Sequence, residues 1–316
     1  MKVLTADRLR GRALPIAVMA TLAVIPLLMR GTGDVYYLGL VGRMMIFAIA
    51  AVALNLILGF GGMVSFGQAA FVGLGAYATG LAATNGLTNG FAHLALVVAV
   101  CGGLAAVIGY ASVRTSGLYF IMITLAFSQL FYFLGVGLKQ YGGDDGFNLP
   151  SRSDFGAWLD LTNAWVFYYA VWASLLVVLL AISRLVGSRF GAALQGIRLN
   201  ERRVNALGLP SRRYKLAAFV ISGVVCGIAG MWLANLTLFV SPAYMHWTRS
   251  GELLIMVILG GTSTVFGPVV GAVVLLTLEE LLSAYSDHWQ LFLGLLLAAF
   301  VLFLRDAPIR FPRFRT

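Results

Sequence analysis

Four charged side chains stand inside stretches that are otherwise apolar. Arg43 lies within LGLVGRMMIFAIA, Glu252 within SGELLIMV, and the adjacent Glu279 and Glu280 within LLTLEELL. An unpaired charge in hydrocarbon costs on the order of 3 kcal/mol or more, so such groups either carry protons or hold one another. Arg43 sits some eight residues into its apolar run, at a depth comparable with the three acids. An ion pair between Arg43 and one of them is therefore expected, with side chains nearer the interface free to snorkel. Asn55 buries an amide in the same run, and an amide there demands partners. A clasp between helices and a place on a solute path both satisfy that demand.

Two further stretches interrupt apolar helices with glycine. Residues 59–75 read GFGGMVSFGQAAFVGLG, and residues 259–271 read LGGTSTVFGPVVG. Each has a glycine pair, a short polar stretch and Phe-Gly before the apolar pattern resumes. Broken helices in corresponding halves of a transporter mark a substrate path, which makes Asn55, Ser65, Gln68, Ser263 and Thr264 the candidate lining residues. The competing reading is a pair of ordinary glycine-rich turns at the inner surface.

The polar stretch 186–215 is the third candidate. Between Gly191 and Leu207 the pattern reads as a helix or helix pair, with Leu194, Ile197, Val204 and Leu207 on one face and Arg198, Arg202 and Arg203 on the rest. Gly208 can end it in a left-handed conformation, and Pro210 prevents its continuation. Such a helix can lie on anionic headgroups or dock in a groove of a cytoplasmic partner. The residues alone leave both readings open.

Other chemistry is missing. There is no G-x-x-x-x-G-K-[ST] loop, no H-E-x-x-H, no G-x-S-x-G and no C-x-x-C, so neither ATP hydrolysis nor a membrane enzyme is supported on this chain. His93, His246 and His288 fall in outer connections without metal-ligand spacing, and no metal site is expected. Cys101 and Cys226 both lie in apolar runs and read as small buried hydrophobes.

The elements that must position these residues follow from composition. Sixty per cent of the 316 residues are hydrophobic and 11% are charged, whereas a soluble domain carries about a quarter charged residues. The chain cannot cover a water-facing surface, and an all-α polytopic membrane protein is expected. A crossing needs about 20 apolar residues. Ten spans result, near 14–29, 35–58, 69–84, 94–113, 118–137, 165–184, 216–236, 251–262, 267–285 and 289–304. The eighth is short enough to be a half-helix. The first follows Lys2, Arg8, Arg10 and Arg12, as a signal peptide would. It lacks a small-x-small cleavage site before Arg30 and contains Pro15 and Pro26, so an uncleaved helix is expected.

Charge orients these spans. With both termini cytoplasmic, seventeen of the 22 Lys and Arg residues fall inside, and Arg30, Lys139, Arg152 and Arg249 fall outside. The net charge of +10 thus belongs to the inner membrane surface, and no separate basic domain exists to hold nucleic acid. Residues 138–164 form an outer loop and residues 186–215 an inner one, within a single transmembrane domain spanning 1–316.

Four runs in order carry a resemblance. LNLILGFGGMVSFGQAAFVGLGAY (54–77), GLYFIMITLAFSQ (117–129), GAALQGIRLNERRVNALGLPSRRYKLAAFVISG (191–223) and SPAYMHWTRSGELLIMVILGGTSTVFGPVVGA (241–272) look like the branched-chain amino-acid ABC permease family. The likeness is to its M-type (LivM-like) subunits and runs from about residue 35 to 304. The resemblance implies a bacterial inner-membrane importer. In it this chain is one of two homologous permease subunits, two cytoplasmic ATPases use ATP and Mg, and a periplasmic binding protein delivers the amino acid. The chain itself needs no cofactor. The resemblance also implies that the inner loop is a coupling helix, with Arg189, Leu194, Ile197, Arg198, Asn200, Glu201 and Arg202 facing the ATPase. Ala192 departs from the commoner basic residue at its position. A urea or amide permease, or a proton-coupled transporter using Glu279 or Glu280, are the alternative functions.

Overall fold

The structure is a computed structural model that describes residues 18–24, 26, 35–156, 159–285, 288 and 290–296. Its architecture is all-α. Helix α1 (Val35–Asn55) continues through a π-turn at Leu56–Phe60, followed by α2 (Gln68–Thr84), α3 (Gly90–Ser112) and α4 (Leu118–Gly137). Then come α5 (Ala164–Val186), α6 (Arg189–Ala206), α7 (Ser211–Thr237), α8 (Trp247–Gly260) and α9 (Gly267–Tyr285). Half of the first expected span, most of the last and both termini lie outside the described residues. The helical stretch at 18–24 packs on α5, where Tyr168 Oη donates to Leu22 O at 2.6 Å and Trp172 Nε1 to Met19 O at 3.2 Å.

Six of these helices are long and apolar enough to cross a membrane: α1 with its π-turn, α3, α4, α5, α7 and α9. The chain is a polytopic membrane protein. Burial sorts its helices. The apolar window of α1 is 89% buried, whereas those of α3 and α4 are 28% buried and present most of their apolar surface outward. A helix that is apolar all round must be covered by other helices or by lipid. Here α1 is covered by α5, α7, α8 and α9, and α3 and α4 form the periphery.

At the centre α2 packs on α7 backbone to backbone. Val72 and Ala76 press against Gly230, and Gly75 presses against Gly227, so any Cβ at Gly75 or Gly230 would overlap a carbonyl of the facing helix. Small residues permit this approach, which replaces the hydrophobic drive that helices lack among lipid chains.

Helices α2 and α8 are the exceptions to full-length crossing. At 17 and 14 residues they rise about 26 and 21 Å, short of the roughly 30 Å hydrocarbon core. Each begins at mid-bundle. Residues 61–67 climb as irregular chain from the end of the bundle that carries α6, and Gln68 then starts α2 beside Ser222, eleven residues into α7. Residues 238–246 descend from the opposite end, pair there as Phe147↔Val240 and Asn148↔Phe239, and reach Ser128, ten residues into α4. From their starts the two helices run to opposite ends of the bundle. The outer loop 138–164 therefore belongs to the bundle, tied to it by this short antiparallel ladder.

Gly230→Val and Gly75→Val are expected to eliminate monodisperse protein in detergent size-exclusion chromatography, because the added side chain meets a rigid backbone. Gly39→Ala, with nothing within 4 Å of its new Cβ, is expected to leave the profile unchanged.

Candidate functional site

The helix starts at mid-bundle need partners for their free N–H groups. Nearby hydroxyls supply them. Phe66 N donates to Thr124 Oγ1 at 3.2 Å, Gly67 N to Ser65 Oγ at 3.2 Å and Ala69 N to Ser250 Oγ at 3.0 Å. Because Ser250 belongs to the first turn of α8, one interrupted helix caps the other. On the descending segment Ser128 Oγ donates to Met245 O at 2.8 Å. Trp247 stacks obliquely on Phe66 across the break.

The expected path residues divide into two groups. Asn55 Nδ2 donates to Thr264 O at 2.8 Å, which ties the two glycine-interrupted segments together at the α6 end. Ser263 is exposed beside them. Ser65 and Gln68 are fully buried and point into the bundle instead. Gln68 shares its amide oxygen with Ser222 Oγ at 3.2 Å and Cys226 Sγ at 3.4 Å, and its Nε2 has no partner among the described residues. None of the five lines a described cavity.

Charges pair as follows. Arg43 Nη2 donates to Glu279 Oε1 at 3.2 Å, Arg249 Nη1 to Glu252 Oε2 at 2.7 Å, and Tyr36 Oη to Glu280 Oε1. Arg249 was not among the sequence candidates, although its place three residues before Glu252 on one helix is the spacing at which side chains meet. Between α1, α2, α7 and α8 lies a cavity of about 240 Å³ reached by both Arg43 and Arg249. A second cavity of about 390 Å³, between α2, α3 and α4, is walled mostly by apolar side chains.

The inner loop folds as a helix pair. Ser188 caps its start by accepting from Phe190 N at 3.2 Å, and Asn200 leaves the helix (φ −160°, ψ 95°) to accept from Arg203 N at 3.0 Å. Asn200 thus acts as the N-cap of a second short turn. Gly208 is left-handed at φ +83°. The docking assignment requires correction. Leu194 and Ile197 are 0% and 4% exposed and pack inside this chain, so they cannot meet a partner. Leu207, grouped with them by periodicity, is 75% exposed, and Leu199 is 86% exposed. Val204, past the bend, is buried with Leu194 and Ile197, whereas Leu207 caps the helix end and Leu199 lies on the opposite face. Arg189, Arg198 and Arg202 are exposed, and Arg198 Nη1 also donates to Gly59 O in the first interrupted segment.

Glu201 faces its own chain. It accepts from Lys215 Nζ at 2.5 Å and Ser211 Oγ at 2.8 Å, clamping α6 to the start of α7. Partial burial works against its charge, but the bonds from Lys215 and Ser211 prevail and hold its carboxyl below the ordinary value of 4.5. His93 also differs from expectation. It is buried on α3, where Nδ1 meets Ser153 Oγ and Nε2 meets Leu87 O, both at 2.7 Å.

A glycine-packed helical bundle with paired intramembrane charges and two helices broken at mid-depth defines a membrane transport subunit. A family profile described as "Branched-chain amino acid transport system / permease component" matches residues 36–304, and the chain belongs to that family. It is 30% identical over 295 residues to the "High-affinity branched-chain amino acid transport system permease protein LivM" of Escherichia coli (strain K12), covering 84% of this chain and 67% of that protein. It is likewise 30% identical over 274 residues to the protein of that name from Salmonella typhimurium (strain LT2), covering 79% and 64%. The chain thus spans about two thirds of the length of these relatives. No solved structure matches it.

Because Glu201 has a lowered folded pKa, the clamp's stabilisation is present above the unfolded carboxylate value and is lost as pH falls through the folded one. Hydrogen-exchange protection of residues 201–207, corrected for intrinsic rates, is expected to stay flat above the ordinary value of 4.5 and to drop only below it. Glu201→Gln should lower that protection at neutral pH by about 1–2 kcal/mol, a modest figure because the glutamate is 37% open to solvent.

Proposed function

We propose that this chain is one of two permease subunits of an ABC importer in the bacterial inner membrane, forming part of the path for branched-chain amino acids. Ten crossings with both termini in the cytoplasm fit the distribution of basic residues, counting the interrupted helices α2 and α8 with their irregular leads as one crossing each. The α6 end then faces the cytoplasm. Separate ATPase subunits supply the energy, using ATP and Mg, and a periplasmic binding protein supplies the substrate.

One observation carries the coupling role. The α6 helix touches the first interrupted segment directly: Arg198 reaches Gly59 O, and Gly62, at φ +68°, packs on the Arg198 side chain. Asn55 joins that segment to the second at Thr264. A displacement of α6 by a docked ATPase is therefore passed to the lead into α2 and to the turn between α8 and α9 through two hydrogen bonds. The exposed Leu199 and Leu207, flanked by Arg202 and Arg203, suit an apolar groove with an acidic rim on that ATPase.

Proton coupling has little support. Glu252, Glu279 and Glu280 each hold a partner, so none is the free carboxylate that such a cycle requires.

Purification of this chain from its own cells in mild detergent is expected to recover an ATPase and a second permease. The purified assembly should take up leucine into proteoliposomes only with ATP and the binding protein. Leu199→Asp should cut ATP-driven uptake by about tenfold or more, the loss of one apolar anchor, while leaving protein yield unchanged. Proton-driven uptake by the chain alone would overturn the importer reading.

A further inference from the structure

The cavity of about 240 Å³ between α1, α2, α7 and α8 combines two properties that seldom meet inside a membrane. Its lining includes two arginines, Arg43 and Arg249, together with Tyr244 and Thr237, while Phe47, Leu233 and Leu253 supply aliphatic and aromatic residues. Each guanidinium donates to a single carboxylate oxygen among the described residues, Arg43 to Glu279 and Arg249 to Glu252, out of five N–H donors apiece. Donors therefore remain for a further acceptor.

Exposure shows which way the site opens. The side chains of Arg43, Arg249 and Glu252 are 33%, 35% and 34% exposed on this subunit, although they lie on membrane-crossing elements. Facing lipid would leave them unsolvated at high cost, so this face borders protein or a polar path. The first turn of α2, at Ala69, also borders the cavity and brings the positive end of a helix to it. The helix start and the remaining arginine donors suit an anionic group, and the two carboxylates paired with the arginines leave the four charges neutral overall.

We propose that this cavity is a transit subsite for a zwitterionic α-amino acid, whose carboxylate is held between Arg43 and Arg249 and whose apolar side chain lies against Phe47, Leu233 and Leu253. Glu252 and Glu279 keep the arginines in place and balance their charge. The volume suits an amino acid, being smaller than the roughly 300 Å³ at which pockets for drug-sized ligands begin. This subsite rests on the amino-acid permease reading, because it gives that substrate class a place on the path.

The test uses the complete transporter in proteoliposomes with radiolabelled L-leucine. Arg43→Gln and Arg249→Gln should each lower maximal uptake by about tenfold or more, the loss of one charge-assisted hydrogen bond, with KM unchanged because the binding protein sets it. Glu280→Gln, which removes a neighbouring carboxylate that holds Tyr36 and does not line the cavity, should keep uptake within about threefold, a smaller loss than that of a bond to a charged group. A loss as large as that of Arg43→Gln would mean that removal of any charged partner in the bundle disables transport, and would overturn the subsite. Wild-type uptake in both arginine variants would overturn it as well. As a measurement independent of any substitution, the wild-type complex without binding protein should be stabilised against heat by L-leucine and 4-methylpentanoate. It should not be stabilised by 3-methylbutylamine, which lacks the carboxylate. Equal stabilisation by the amine, or none by leucine, would refute carboxylate recognition. Absence of ATP-driven leucine uptake in the wild type would instead refute the permease reading itself.

Discussion

Inside hydrocarbon there is no water to bind a free N–H or C=O, so a helix can break there only where other parts of the protein supply the missing partners. The bundle breaks twice at mid-depth, ahead of α2 and ahead of α8, and much of its interior is arranged to make that tolerable. Thr124, Ser65, Ser250 and Ser128 turn their hydroxyls to the interrupted backbone. Glycines in α2 and α7 bring those helices close enough to wall off the break. The peripheral helices α3 and α4 then separate this polar interior from lipid.

The same interruption connects one end of the molecule with its centre. Residues 61–67 begin beside Arg198 and end at Gln68, so they run from α6 to the middle of the bundle. Irregular chain has no ladder of helical bonds to keep it rigid, and a few side-chain contacts set its position. Gln68 shows how tight that setting is. Ser222 has one hydroxyl hydrogen, which already serves Ala53 O at 2.7 Å, so an amide orientation that donates to Ser222 satisfies the pair better and leaves the amide oxygen open instead. In either orientation one end of a buried amide lacks a partner among the described residues at the start of the interrupted helix.

Some of this was legible in the residues and some was not. The interruption ahead of α2, the doubtful eighth span, the left-handed Gly208 and an acidic partner for Arg43 follow from local pattern. The glycine stretch 259–271 is instead the turn between α8 and α9, and the second break lies at residues 238–246. The exposed face of α6 did not follow, because Leu207 falls past the helix end and Leu199 lies opposite Leu194 and Ile197, which pack inside. Asn is a favoured N-cap residue, and its place inside the expected helix could have revealed the bend. Glu201 looked like a docking residue on an exposed loop, yet Lys215, fourteen positions later, draws it back onto its own chain. His93 looked interfacial and is instead a buried clasp for Leu87 and Ser153.

Composition and apolar run length by themselves determined that this is an all-α membrane chain, because too few charges exist to cover a soluble surface and the runs are of membrane-crossing length. Four ordered motifs pointed to the family. The tertiary structure decided what no one-dimensional pattern contains: which carboxylate each arginine takes, which polar residues gather at the break, and which face of the bundle stays charged. Those outcomes depend on contacts between residues up to 244 positions apart. Helical periodicity fixes only the neighbours within a turn or two, whereas charge pairing in a membrane is settled by whichever helices the packing brings side by side.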